Sequence, residues 1–337
     1  MRSAFITGLA GPTLLDAERS FLASARPAGV ILFARNCVAH DQIRRLVGEA
    51  LDAIGNADTL VLIDQEGGRV QRLRPPIGRA LPAAAAFGAL YAGDPEDARR
   101  LAFLVSRQNA ADLRALGINT NCAPVLDVPV PGAHDVIGNR AYGATADQVA
   151  ALGAEVAAGL MAGGVLPVMK HIPGHGRAGA DSHHALPVVA TPRATLEATD
   201  FAPFRALAGL PAAMTAHVLF TDIDGENPAS TSPEITRDII RGAIGFDGLL
   251  MSDDLSMKAL GGTIGARARA VLAAGSDLVL HCNGSMAEME DVAAECPEVS
   301  GSSRRRLATA LAALQHHEPF EPQLAEAAIS RVLSVTA

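Results

Sequence analysis

Eight short apolar runs recur along the chain, at 5–8, 29–33, 59–64, 119–126, 165–171, 212–218, 248–252 and 277–282. Most are near-continuous rather than alternating, as expected of parallel strands covered on both faces. Between them lie longer amphipathic segments with readable ends. Asp94-Pro95-Glu96 opens one, since Asp caps well and Pro suits the first turn. Its apolar positions Ala98, Leu101, Val105, Leu113 and Leu116 keep helical spacing up to Gly117. Thr145-Ala146-Asp147-Gln148 fits a capping box, with the helix ending near Gly163-Gly164. Ser232-Pro233-Glu234 starts another, ended by Gly245. Eight strand–helix alternations predict an α/β fold, a single (β/α)8 TIM-type barrel over residues 1–337. The segment after Pro297 reads as an extra C-terminal helical segment packed on the outside of the barrel. An open dinucleotide-binding sheet would need a GxGxxG loop after the first strand, and none is there.

Composition narrows the partners. The formal net charge is −8, which opposes a nucleic-acid footprint. The basic run Arg304-Arg305-Arg306 reads as a solvated helix face. Cys37, Cys122, Cys282 and Cys296 are scattered without a CxxC, which suits reduced, buried thiols in the cytoplasm. Arg2 and the apolar stretch at 3–15 loosely mimic an export signal. Gly8, Gly11 and Pro12 interrupt it, and Asp16 and Glu18 follow without a cleavage site, so we expect a first strand there. The stretch 156–169 is too short and too glycine-rich to span a bilayer, so no membrane role is expected.

Polar groups gather where the candidate strands end, the end at which barrels build their sites. The third strand runs into Asp64-Gln65-Glu66-Gly67-Gly68-Arg69-Val70-Gln71-Arg72, and the fifth into Lys170-His171-Ile172-Pro173-Gly174-His175-Gly176. The sixth ends in Thr215-Ala216-His217 and the seventh in Ser252-Asp253-Asp254. One charged group after a buried strand is usually a cap; several on one rim point to function. His171 and His175 lie four apart, a metal-ligand spacing on a helix, but Pro173, Gly174 and Gly176 oppose a helix, so no metal is expected. The glycines suggest a loop able to close on a ligand. Farther along that loop, Asp181 and His183 are two apart. Their spacing reads equally as a solvated polar loop or as a carboxylate that orients a proton-carrying imidazole. Asp253 and Asp254 read either as helix caps or as one carboxylate facing the pocket while the other caps the following helix or binds a basic neighbour.

These segments resemble the β-N-acetylglucosaminidases of glycoside hydrolase family 3. The matching stretches are Asp64 to Val70, Val136-Ile137-Gly138-Asn139-Arg140-Ala141-Tyr142-Gly143, Lys170 to Gly176, Asp181-Ser182-His183 and Ser252-Asp253-Asp254-Leu255-Ser256-Met257, in the family's order. The resemblance implies that Asp253 is the nucleophile of a retaining mechanism, and that His183 is the general acid/base, oriented by Asp181. It implies that Asp64, Arg72, Arg140, Lys170 and His171 hydrogen-bond the terminal sugar. The register of Asp181-Ser182-His183 favours His183 over His184. Ile172 stands where the family commonly has Phe, which implies a packing change behind the sugar site. Larger relatives take their acid from a second domain, and a chain of 337 residues must supply its own.

The implied activity is removal of terminal N-acetylglucosamine from small substrates, muropeptides of cell-wall recycling, with no cofactor. Aromatics at 4% and the lack of Trp fit a small hydrogen-bonding site better than a long polysaccharide cleft. Three rivals remain. A neutral histidine does not repel phosphate, so the enzyme could be a phosphorylase. Lys170 could form a Schiff base, although Asp181 and Asp253 would oppose the depressed pKa it needs. The barrel could also bind sugar without catalysis.

Overall fold

A computed structural model describes residues 2–315 and 317–335. Eight parallel strands close into a barrel: β1 (Ser3–Gly8), β2 (Pro27–Leu32), β3 (Leu60–Ile63), β4 (Thr120–Asn121), β5 (Leu166–Ile172), β6 (Ala212–Thr215), β7 (Leu249–Asp254) and β8 (Leu278–His281). Each strand pairs with its sequence neighbours, and β1 closes the ring against β8. All eight fall on the apolar runs, including the one at the N-terminus.

The near-continuous hydrophobicity now has its reason. Successive side chains point to opposite faces, so each strand feeds two cores. Leu60 and Leu62 join Ile6, Val168, Met214 and Met251 in one cluster. Val61 and Ile63 join Phe5, Val30, Met169 and Leu250 in the layer that the helices cover. Ile172 is fully buried in that outer layer.

Strand β4 is shorter than the apolar run 119–126. Pro124 has no N–H to give, so the ladder breaks after Asn121. Pairing resumes beyond it, where Lys170 N–H donates to Pro124 and Leu126 N–H donates to the Lys170 carbonyl. Thus Asp127 is carried alongside the end of β5.

Asp94 caps the helix Pro95–Arg114 by accepting the Asp97 N–H. Thr145 caps Ala146–Ala162, but the Gln148 side chain donates to the Gly88 carbonyl instead of completing a capping box. Ser232 accepts the Ile235 N–H, and the helix Ile235–Ala243 that follows is wound as a π-helix.

The C-terminal segment departs from expectation. Val299, Leu307 and Ala310 belong to the barrel-interior cluster, so the helix Gly301–Ala312 closes the N-terminal end of the barrel rather than lying outside it. Asp277, just before β8, anchors this plug. Its carboxylate accepts from Leu250 N–H (2.9 Å), Arg241 (3.0 Å), Ser303 (2.6 Å) and Arg306 (3.1 Å). The last helix, Pro322–Leu333, does lie outside, against Pro95–Arg114. No helix among the described residues is long and apolar enough to cross a membrane.

Candidate active site

With its N-terminal end plugged, the barrel is open where the strands end. A cavity of about 250 Å³ sits there, lined by side chains that follow β3, β5 and β7. That is below the roughly 300–1,000 Å³ of drug-sized pockets, so it suits one small ring.

After β3 the chain makes a tight hairpin, Gln65–Gly67 against Val70–Gln71. Its glycines are required. Gly67 has φ +108°, and a Cβ there would meet the Pro82 carbonyl oxygen at 2.2 Å. Gln65 braces the turn, its Oε1 accepting from Arg72 and Leu73 N–H. Arg72 is thereby returned to Asp64, with Nη2 2.9 Å from the carboxylate. Lys170, at the end of β5, bridges this hairpin, with Nζ 2.8 Å from Asp64 and 2.7 Å from Glu66. Arg140 closes the far side with a two-pronged pair to Glu66, both contacts at 2.8 Å. Burial disfavours the charge on Asp64 and Glu66. Lys170 and Arg72 overcome it at Asp64 and hold that carboxyl far below its ordinary value. Arg140 and Lys170 do the same at Glu66, which falls to about 2. In return the two acids push the Lys170 ammonium well up against its burial. A Schiff-base lysine needs the reverse. The groups that oppose it most are Asp64 and Glu66, and Asp253, which Lys170 helps to keep ionised, adds to them.

Asp253 ends β7 on the cavity wall, 8% exposed. Burial again opposes ionisation, but His171, His217, the Asp254 N–H and Lys170 hold its carboxyl below the usual range. Asp254 also lines the cavity and does not cap the next helix, which Thr263 caps; its carboxylate accepts from Ser256 and Cys282 N–H. His183 stands at the rim with its side chain 60% exposed. Its Nδ1 is 2.8 Å from Asp181 Oδ1, which also accepts the His183 N–H at 2.9 Å. His184 is exposed and stays outside the cavity wall. Two contacts dock this loop beside Asp253: Ser182 Oγ approaches Met257 Sδ at 3.6 Å, and the Ala259 N–H donates to the Ser182 carbonyl.

Every residue that the resemblance singled out is therefore gathered at one mouth: Asp253, His183, Asp64, Arg72, Arg140, Lys170 and His171 line it, with Asp181 behind His183. Three further residues went unassigned. Glu66 pairs with Arg140 across 74 positions, which no local pattern reveals. Asp127 lies fully buried behind His171. His175 lines the cavity with Nδ1 unpartnered, its pKa pushed down to about 4 by burial and by His171. A lone acid inside the apolar run Val125-Leu126-Asp127-Val128 was the available signal for Asp127.

Comparison with known proteins identifies the family. The model of the glycosyl hydrolase family 3 N-terminal domain matches residues 9–310. A β-hexosaminidase from Alkalilimnicola ehrlichii is 42% identical over 280 residues, covering 82% of this chain and 79% of that one. NagZ from Neisseria gonorrhoeae, solved with N-trifluoroacetyl-D-glucosamine, superposes with a TM-score of 0.87 at 32% identity, over 98% of both chains. A family 3 β-N-acetylglucosaminidase from Paenibacillus gives 0.82 at 34% identity, and this chain covers 62% of it. By sequence and by fold, then, the chain belongs to glycoside hydrolase family 3.

Proposed function

We propose that the chain is a retaining, exo-acting β-N-acetylglucosaminidase whose whole catalytic apparatus sits in one barrel domain, residues 1–337. One observation carries the reading: an ionised carboxylate, Asp253, and a carboxylate-bound imidazole, His183, line the same small cavity. In the first step protonated His183 donates to the glycosidic oxygen. Asp253 bonds to the anomeric carbon as the bond to the leaving alcohol breaks. In the second step neutral His183 takes a proton from water. That water displaces Asp253 and releases the sugar with its configuration retained. Asp181 accepts the Nδ1 hydrogen and so leaves Nε2 to carry the mobile proton.

Asp64, Arg72, Arg140, Lys170 and His171 hold the sugar hydroxyls, a task suited to charged donors and acceptors. The choice of a 2-acylamino sugar is supported by the gonococcal relative's N-trifluoroacetyl-D-glucosamine complex. We extend the proposal to N-acetylglucosamine-bearing muropeptides in cytoplasmic cell-wall recycling. The four free, buried thiols accord with a reducing compartment. The test is mass spectrometry after incubation with a 5-fluoro N-acetylglucosaminyl fluoride. A sugar adduct on the peptide containing Asp253 is expected; an adduct elsewhere would reject the nucleophile.

A further inference from the structure

Asp127 is fully buried on the segment that follows β4, behind the wall of the cavity. Its Oδ2 stands 2.6 Å from His171 Nδ1. Its Oδ1 accepts the His175 N–H at 2.7 Å and the His171 N–H at 3.3 Å. Burial opposes its charge, but His171 and then His175 hold the carboxyl below its ordinary value. An ionised carboxylate only accepts hydrogen bonds, so His171 Nδ1 carries the hydrogen. The ring's other nitrogen, Nε2, has no protein partner among the described residues, and the ring lines the cavity. The bend beyond is equally constrained. A Cβ on Gly176 would lie 2.0 Å from the Val128 carbonyl oxygen, one residue past Asp127.

We propose that Asp127 is a positioning residue: it fixes the tautomer of His171 so that Nε2 faces the substrate, and it holds the bend that carries His175. The inference rests on the glycosidase reading above and adds a residue that acts through His171 rather than on the sugar.

The test combines a spectrum with kinetics. Imidazole ¹⁵N spectra of the full chain, with His171 assigned by its loss in His171→Ala, should show Nδ1 protonated. In Asp127→Asn the amide can donate to Nδ1, so the hydrogen should move to Nε2. Asp127→Asn should also raise KM for an aryl N-acetylglucosaminide about tenfold or more, with less change in kcat. In a His171→Ala background the same substitution should add less than about twofold. A His171 bare at Nδ1 in the wild-type protein overturns the proposal. So does an Asp127→Asn loss that multiplies undiminished onto His171→Ala. If Asp127→Asn fails to fold, the wild-type spectrum alone decides. A wild-type protein that hydrolyses no N-acetylglucosaminide would instead sink the glycosidase reading, whatever the tautomer.

Discussion

A carboxylate attacks carbon only while ionised, and burial works against the charge on Asp253. What reverses the balance is the set of groups around it, led by His171 and His217. His183 has the opposite setting, exposed at the rim and tied only to Asp181. The difference fits a fixed attacking group and an acid that must exchange protons with solvent. Replacing His183 by Ala should therefore cost about 10²–10⁴-fold in kcat on alkyl glycosides, whose leaving group needs the proton. Activated aryl glycosides should lose far less in the first step. Equal losses on both, compared by initial rates, would remove the acid role. At this scale the sequence is informative about single residues and about the local pair Asp181–His183, and silent about partnerships between distant residues. Asp253 and His183 could be named because each sits in a short recognisable stretch. Glu66 lies in such a stretch too, but its importance comes from Arg140 and Lys170, which reach it from segments distant in sequence.

Elements were legible where one physical cause controlled them. A parallel strand buried on both faces must be apolar throughout, and the eight runs follow from that alone. The pattern failed where a second cause intervened. Pro124 interrupts β4, so a run that reads as one strand is a two-residue ladder followed by an extended arm. The helix Gly301–Ala312 shows an apolar stripe, but a stripe does not say which surface it covers, and here it is the N-terminal end of the barrel. The glycines of the loop after β5 suggest a segment able to close on a ligand, and one of them also has a packing role. Gly176 lies against the Val128 backbone, where the absence of a side chain is required. Gly176→Ala should thus force the loop away from Asp127, at about 1–3 kcal/mol by analogy with overpacked cores. It should also lower kcat/KM, because the displaced loop carries His175 and leads to His183. Unchanged urea midpoint and turnover would show that the loop adapts freely.

At the scale of the molecule, the two ends of the barrel are held by different charged centres. Asp277 stitches the plug helix to β7 and β8 at one end, its side chain 1% exposed. Asp277→Ala should leave Arg241 and Arg306 short of their shared partner, at a cost of about 3–5 kcal/mol. Because it lies opposite the mouth, kcat/KM of the folded fraction should hardly move; a matching loss of turnover would mean that the two ends are coupled. The mouth dominates the response to acid. Its carboxylates, Asp64, Glu66, Asp127 and Asp253, all have folded values below their unfolded ones, and so do the buried His175 and His217. For every one of these groups the unfolded chain binds protons more readily, so stability is complete above the unfolded pKa and falls as pH drops. The histidines act first: His175 contributes a loss that begins near its ordinary 6.5 and runs to about 4. The carboxylates follow, with Glu66 contributing from 4.5 down to about 2. Lys170 and Arg140, raised rather than lowered, titrate only in strong alkali and leave this range untouched. Urea midpoints should therefore be level above about pH 7.5, decline through the histidine range and fall more steeply below about pH 4.5. A midpoint unchanged from pH 7 to pH 3 would mean that the buried acids and imidazoles of the mouth are not held in the charge states that the proposed reaction needs.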